Sequence, residues 1–179
     1  GVAGLSIEDT NLPAPHGSGG RARLISLEEG VGKMKAALDA RSDPDLVIAG
    51  RTSAPGIEGV EEAVKRATAY EAAGVDALFL VGVKNREELA AVAAEVSTPI
   101  ILGSASREMM DCEWLASLGV RICLQGHKVH AAAMAAFLRT QQALADGTHP
   151  DDLDGIAPSD TMKRLMRADN YDRWSASYL

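Results

Sequence analysis

The sequence predicts an α/β fold built on a parallel sheet, and three observations carry that expectation. Five short apolar runs rich in β-branched residues recur along the chain without clean polar alternation, the pattern of strands covered on both faces. Amphipathic stretches with apolar residues three and four apart separate them. Gly74 and Gly119 stand where two of these helices should stop, and each is followed by Val and then an apolar run.

The strands are expected at Val2–Ile7, Leu46–Ala49, Ala77–Val81, Pro99–Leu102 and Val120–Leu124. The helices are expected at Leu27–Ala40, Val60–Ala73, Glu87–Val96, Met109–Leu118, Val129–Ala145 and about Ser159–Tyr178. Ser26 precedes Leu27-Glu28-Glu29, a capping hydroxyl followed by two carboxylates at the positive end of the helix dipole. Gly1-Val2-Ala3-Gly4-Leu5 reads as a third copy of the helix-to-strand junction, so the chain is expected to begin partway through a βα unit. Residues 1–179 read as one domain, with βα units over 1–150 and a helical tail over 151–179.

An open nucleotide-binding sheet or part of an eight-stranded barrel could hold five such units. The first usually carries a glycine-rich turn after its opening strand, and neither GxGxxG nor GxxxxGK[ST] is present. A barrel gathers polar residues at the C-terminal ends of several strands. Glu8-Asp9, Arg51-Thr52-Ser53, Gly82, Gly103-Ser104 and Gln125-Gly126-His127 sit there, which favours the last five units of a (β/α)8 barrel.

Composition narrows the function. Eighteen Lys and Arg against 25 Asp and Glu give a net charge of -7, which repels a phosphate backbone, and no basic run with interleaved aromatics appears. A small anion remains compatible, because one or two buried arginines set a local field. Cys112 and Cys123 make no disulfide framework or metal motif, and a reducing cytoplasm fits them. No apolar run approaches the length that spans a bilayer.

Four places could carry chemistry. Glu8 and Asp9 end a strand, where a carboxylate pair either holds Mg²⁺ or begins a loop. Arg51 ends a buried strand, either as a two-pronged grip on a carboxylate or as an ion-pair partner of Glu8 or Asp9. His127 ends the last strand and could donate a proton or a hydrogen bond to developing negative charge. The segment 11–23, with Pro13, Pro15, His16, Gly17, Gly19 and Gly20, is a loop, either a lid or a surface excursion. The His127/His130 pair lacks a third ligand for zinc. Trp114, Met109, Met110 and Phe137 read as core or subunit contacts, and Tyr171, Trp174 and Tyr178 gather aromatics on the tail.

The string Gly1–Thr10 with its I-E-D, and Ile48-Ala49-Gly50-Arg51-Thr52-Ser53, resemble the isocitrate lyase/phosphoenolpyruvate mutase superfamily. The likeness continues through Ala69–Ala77, Leu80–Val83, Leu118–Arg121 and Gly126-His127. It implies an α/β barrel that binds Mg²⁺, with Mn²⁺ as a substitute, and an α-keto acid or its enolate. Glu8 would serve the metal through water, Arg51 would grip the substrate, and Pro13, His16 and Gly17 would belong to the gating loop. The lyase branch carries K-[KR]-C-G-H in that loop. Here Pro13-Ala14-Pro15-His16-Gly17 has neither Cys nor Lys and is more similar to the oxaloacetate-decarboxylating branch, in which a histidine matching His127 lies beside the substrate.

The expected activity is therefore Mg²⁺-dependent decarboxylation of oxaloacetate or a similar 3-carboxy-2-keto acid. A carbon–carbon lyase of the methylisocitrate or dimethylmalate type, a phosphonopyruvate-processing enzyme and a non-catalytic truncated barrel stand as alternatives. The superfamily's metal-binding aspartates belong to strands before the I-E-D strand and are not in these residues, so the 179 residues are expected either to be inactive alone or to be part of a longer polypeptide. The last helix is often exchanged between subunits, which implies a homo-oligomer. Neither nucleic acid nor membrane is an expected partner.

Overall fold

A computed structural model describes residues 1–13 and 22–179 and divides the chain into two compact units, Gly1–Gly126 and His127–Leu179. The first unit carries β1 (Gly4–Glu8), α1 (Leu27–Ala40), β2 (Val47–Thr52), α2 (Ala54–Ile57), α3 (Val60–Ala73) and β3 (Ala77–Leu80). It continues with α4 (Arg86–Ala93), β4 (Ile100–Leu102), a 3₁₀ turn (Arg107–Met109), α5 (Cys112–Ser117) and β5 (Val120–Cys123).

All five strands are parallel and lie in chain order, β1-β2-β3-β4-β5. A doubly wound sheet would reverse its order at a switch point, and this one does not. Right-handed crossovers in an unreversed order send every helix to the same face. The period of two then sorts the strand residues. Ile7, Leu78, Leu80, Ile100, Leu102 and Val120 join the core with the helices. The opposite face carries a single row in register, Glu8, Arg51, Phe79, Ile101 and Ile122. A bulge between Ile100 and Ile101 sets Ile122 in that row; Glu8, Arg51, Phe79 and Ile101 are half-buried and Ile122 is 50% exposed.

Local chemistry sets the helix limits. The Ser26 hydroxyl accepts from Glu29 N–H at 3.1 Å, while Asn85 and Asp111 cap α4 and α5 in the same way. Gly74 and Gly119 take the left-handed φ of +97° and +80° expected where the preceding helix hands over to a strand. Sequence periodicity missed α2, a single turn opened by Pro55. The stretch expected as a helix over Met109–Leu118 is shorter, because Asp111 restarts the chain after the 3₁₀ turn.

The second unit contains α6 (Lys128–Ala145), a 3₁₀ turn (Pro150–Asp152), α7 (Ser159–Leu165) and α8 (Ala168–Tyr178). The single terminal helix expected over Ser159–Tyr178 is two helices, broken where Arg167 adopts a left-handed φ of 55°. Tyr171 and Trp174 meet edge to face at 5.5 Å on α8. Among the described residues, no helix is long and apolar enough to cross a membrane.

Glu71 at the end of α3 ties the approach to β4. One of its oxygens accepts from the N–H groups and hydroxyls of both Ser97 and Thr98, all within 2.9 Å. The carboxyl is held down at about 2, first by the Thr98 hydroxyl, against an opposing effect of burial, and then by Ser97 and the Thr98 N–H. A folded value below the unfolded one stabilises above the unfolded value, and the benefit fades as pH falls towards the folded one. Glu71→Gln is thus expected to lower the unfolding temperature at pH 7, with the deficit against wild type shrinking between about pH 4.5 and 2. Thermal unfolding across that range checks it. A deficit independent of pH would contradict the assignment.

Candidate active site

The C-terminal ends of β1 and β2 bring Glu8 and Arg51 side by side, since the two are partners in register. Arg51 Nη1 lies 3.6 Å from a Glu8 oxygen, and the two side chains are 32% and 28% exposed. The guanidinium carbon stands 5.2 Å from the centroid of Phe79, the next residue of the row. No hydrogen bond runs from the Arg51 guanidinium to any described residue, and its buried Nε has no partner among them. Lys33 on α1 donates to the Glu8 backbone carbonyl and adds a second cation at this end.

Asp9 faces the other way. At least one carboxylate of the Glu8-Asp9 pair is expected at the open end of the sheet, and that one is Glu8, because consecutive strand residues point to opposite faces. Asp9 is completely buried and Arg66 is 4% exposed. One Asp9 oxygen accepts from Arg66 Nη1 at 3.1 Å and from the Tyr70 hydroxyl at 2.9 Å. Burial first, and then the charge of Asp9, push the Tyr70 hydroxyl well above its usual range, so it keeps its proton and donates.

Tyr70 reaches Asp9 because two glycines leave room. A Cβ at Gly30 on α1 would overlap the Tyr70 hydroxyl, and one at Gly50 on β2 would press the Tyr70 Cβ at 3.2 Å and its ring at 3.3 Å. The sequence offered one signal for Arg66: it is a charged residue at a position of α3 that the helical period shared with Ala63, Ala67 and Tyr70 assigns to the core. Phe79 carried no signal beyond its strand.

His127 belongs to the second unit, where it is exposed and its carbonyl accepts from Ala131 N–H at 3.2 Å at the start of α6. Pro13 is exposed at the edge of the loop, and His16 and Gly17 fall outside the described residues. The roots of that loop pair: Asn11 N–H donates to the Arg23 carbonyl at 2.7 Å, and Thr10 bridges Leu24.

A hard divalent cation needs several oxygen ligands, usually one or two carboxylates plus waters. Among the described residues, no three His, Cys, Asp or Glu side chains gather in a way that could hold a metal ion. Glu8 offers one carboxylate, already beside a cation, and the carboxylate of Asp9 is taken up by Arg66 and Tyr70. These residues do not by themselves fit a metal centre. What they can do is receive an anion: a guanidinium with unused donors sits over an aromatic face at the end of a parallel sheet, where ligands of α/β proteins bind.

Comparison with known proteins supplies the context for this geometry. The sequence pattern of the phosphoenolpyruvate phosphomutase family matches residues 1–145. An oxaloacetate decarboxylase of Rhodopseudomonas palustris (strain HaA2) is 52% identical over 179 residues, covering all of this chain, which spans 62% of that relative's length. A crystal structure of 2,3-dimethylmalate lyase, described as a PEP mutase/isocitrate lyase superfamily member, superposes with a TM-score of 0.81 at 26% identity, over 99% of this chain and 62% of that one. A phosphonopyruvate hydrolase in complex with oxalate and Mg²⁺ superposes with a TM-score of 0.78 at 26% identity, over 99% and 63%.

Proposed function

The chain belongs to the phosphoenolpyruvate phosphomutase family, within the isocitrate lyase/PEP mutase superfamily, and from that premise we propose that the protein decarboxylates oxaloacetate to pyruvate and CO₂. The identity of about half its residues, over the whole chain, with a protein named for that reaction carries the proposal. The two solved relatives named for other reactions stand at 26%. In this reading the five strands are part of an eight-stranded barrel, and the row from Glu8 to Ile122 faces its interior.

Decarboxylation breaks the C3–C4 bond of oxaloacetate. Its electron pair moves toward C2, CO₂ leaves, and negative charge develops on the C2 oxygen before C3 takes a proton. Arg51 holds the retained carboxylate and the C2 oxygen. Its uncommitted donors face charge that grows during the reaction, where a fixed cation lowers the barrier most. The Phe79 ring lies beneath it, its centroid 5.2 Å from the guanidinium carbon. His127 is the candidate to position the substrate or protonate C3. Mg²⁺, or Mn²⁺ in its place, is the proposed cofactor of the whole protein, with Glu8 as one ligand through water. A homo-oligomer built through the exposed aromatics of the tail, Tyr171 at 63% and Trp174 at 46%, completes the reading.

The test is pyruvate release from oxaloacetate by the full-length protein, above the background of metal alone. Turnover that EDTA abolishes is expected, with none on phosphonopyruvate or 2,3-dimethylmalate. Preferential turnover of either of those would replace the proposal.

A further inference from the structure

We propose that Asp9 and Arg66 are positioning residues for Arg51: the buried carboxylate of Asp9 sets where the guanidinium stands, and Arg66 holds that carboxylate. The inference rests on the reading of Arg51 as the substrate-gripping residue. No hydrogen bond of its own side chain to a described residue anchors Arg51, so its placement comes from its backbone, from the partly exposed ion pair with Glu8 at 3.6 Å and from Phe79. The backbone is gripped on both sides by one residue. Asp9 N–H donates to the Arg51 carbonyl at 3.3 Å, and Ser53 N–H donates to the Asp9 carboxylate at 3.3 Å.

The same residue fixes the return of the loop, because its carbonyl accepts from Ile25 N–H at 2.9 Å. Arg66 closes the circuit. Its Nη2 donates to the Ile25 carbonyl at 2.9 Å, its Nη1 to Asp9 and its Nε to Glu62 at 2.8 Å. Three acceptors in fixed directions use the planar fork of arginine, which lysine cannot reproduce. A buried ion pair is weak evidence for stability, since apolar replacement is often neutral. What this one adds is a single geometry at the step between Glu8, which faces the substrate side, and Asp9, which faces the helices.

A double-mutant cycle in the full-length protein tests this, with kcat/KM for oxaloacetate and unfolding temperature measured for Asp9→Asn, Arg51→Lys and the pair. Asn keeps an acceptor for Ser53 and removes the charge that Arg66 answers. Coupled neighbours depart from additivity, so Asp9→Asn is expected to lower kcat/KM about tenfold in wild type and less than about twofold in the Arg51→Lys background, with similar falls in unfolding temperature in both. Tyr70→Phe, which removes one donor and keeps the ion pair, provides the same cycle should Asp9→Asn not fold. Equal losses in both backgrounds would overturn the inference and leave the network purely structural. An Arg51→Lys variant with unchanged kcat/KM would overturn the reading of Arg51 itself.

Discussion

Arg66→Met is expected to lower folding stability by about 3–5 kcal/mol, the cost of leaving a buried charge without its partner. Methionine fills much of the space but offers Asp9 nothing. The carboxylate would keep only the Tyr70 hydroxyl and the Ser53 N–H, and the Ile25 carbonyl would lose its side-chain donor. Adding Asp9→Asn should return part of the loss, because the orphaned group is then neutral. The contrast is Arg41, whose Nη1 lies 2.6 Å from Asp76, a shorter pair, with side chains 21% and 36% exposed. Solvent screens such pairs, and Asp76→Asn is expected to cost about 1 kcal/mol or less. Urea unfolding of the full-length variants measures both. A loss below about 1 kcal/mol for Arg66→Met would contradict the role given to the buried network.

Arg51→Ala should do the reverse, costing activity and sparing the fold. Removing a donor aimed at developing negative charge lowers turnover by about 10²–10³-fold, and Arg51 supplies both charge and several donors. Its structural ties are few: one partly exposed ion pair with Glu8 at 3.6 Å and the stack on Phe79. Stability should therefore change by only about 1 kcal/mol. Two arginines on adjacent elements thus part company. Arg66 has its donors engaged inside the protein, and Arg51 keeps its donors for something else.

Much of this architecture was legible in the sequence. The limits of α1 and α3 fall at the residues that periodicity, Ser26 and Gly74 indicated, because capping is a local property. The parallel, one-way sheet followed from unalternating strands and polar strand ends. A four-residue helix such as α2 has too few turns to show a period, and the break at Arg167 depends on a left-handed backbone that no glycine announces. In the site, Glu8 and Arg51 were visible at their strand ends. That Asp9 turns inward was not, because alternation says neighbours part and not which one goes where. Arg66 hid for a related reason: a charge on an amphipathic helix is normally solvated, and only its partner 57 residues away makes it a core residue.

The most direct measurement follows the label of [4-¹³C]oxaloacetate by NMR with the full-length protein, beside Arg51→Ala and a metal-only control. Decarboxylation should move the label into CO₂ and bicarbonate, with one unlabelled pyruvate formed per label released. The rate should stand well above the control for wild type and near it for the arginine variant. Label retained in a carbon–carbon cleavage product, or release no faster than the control, would contradict the proposed decarboxylation of oxaloacetate.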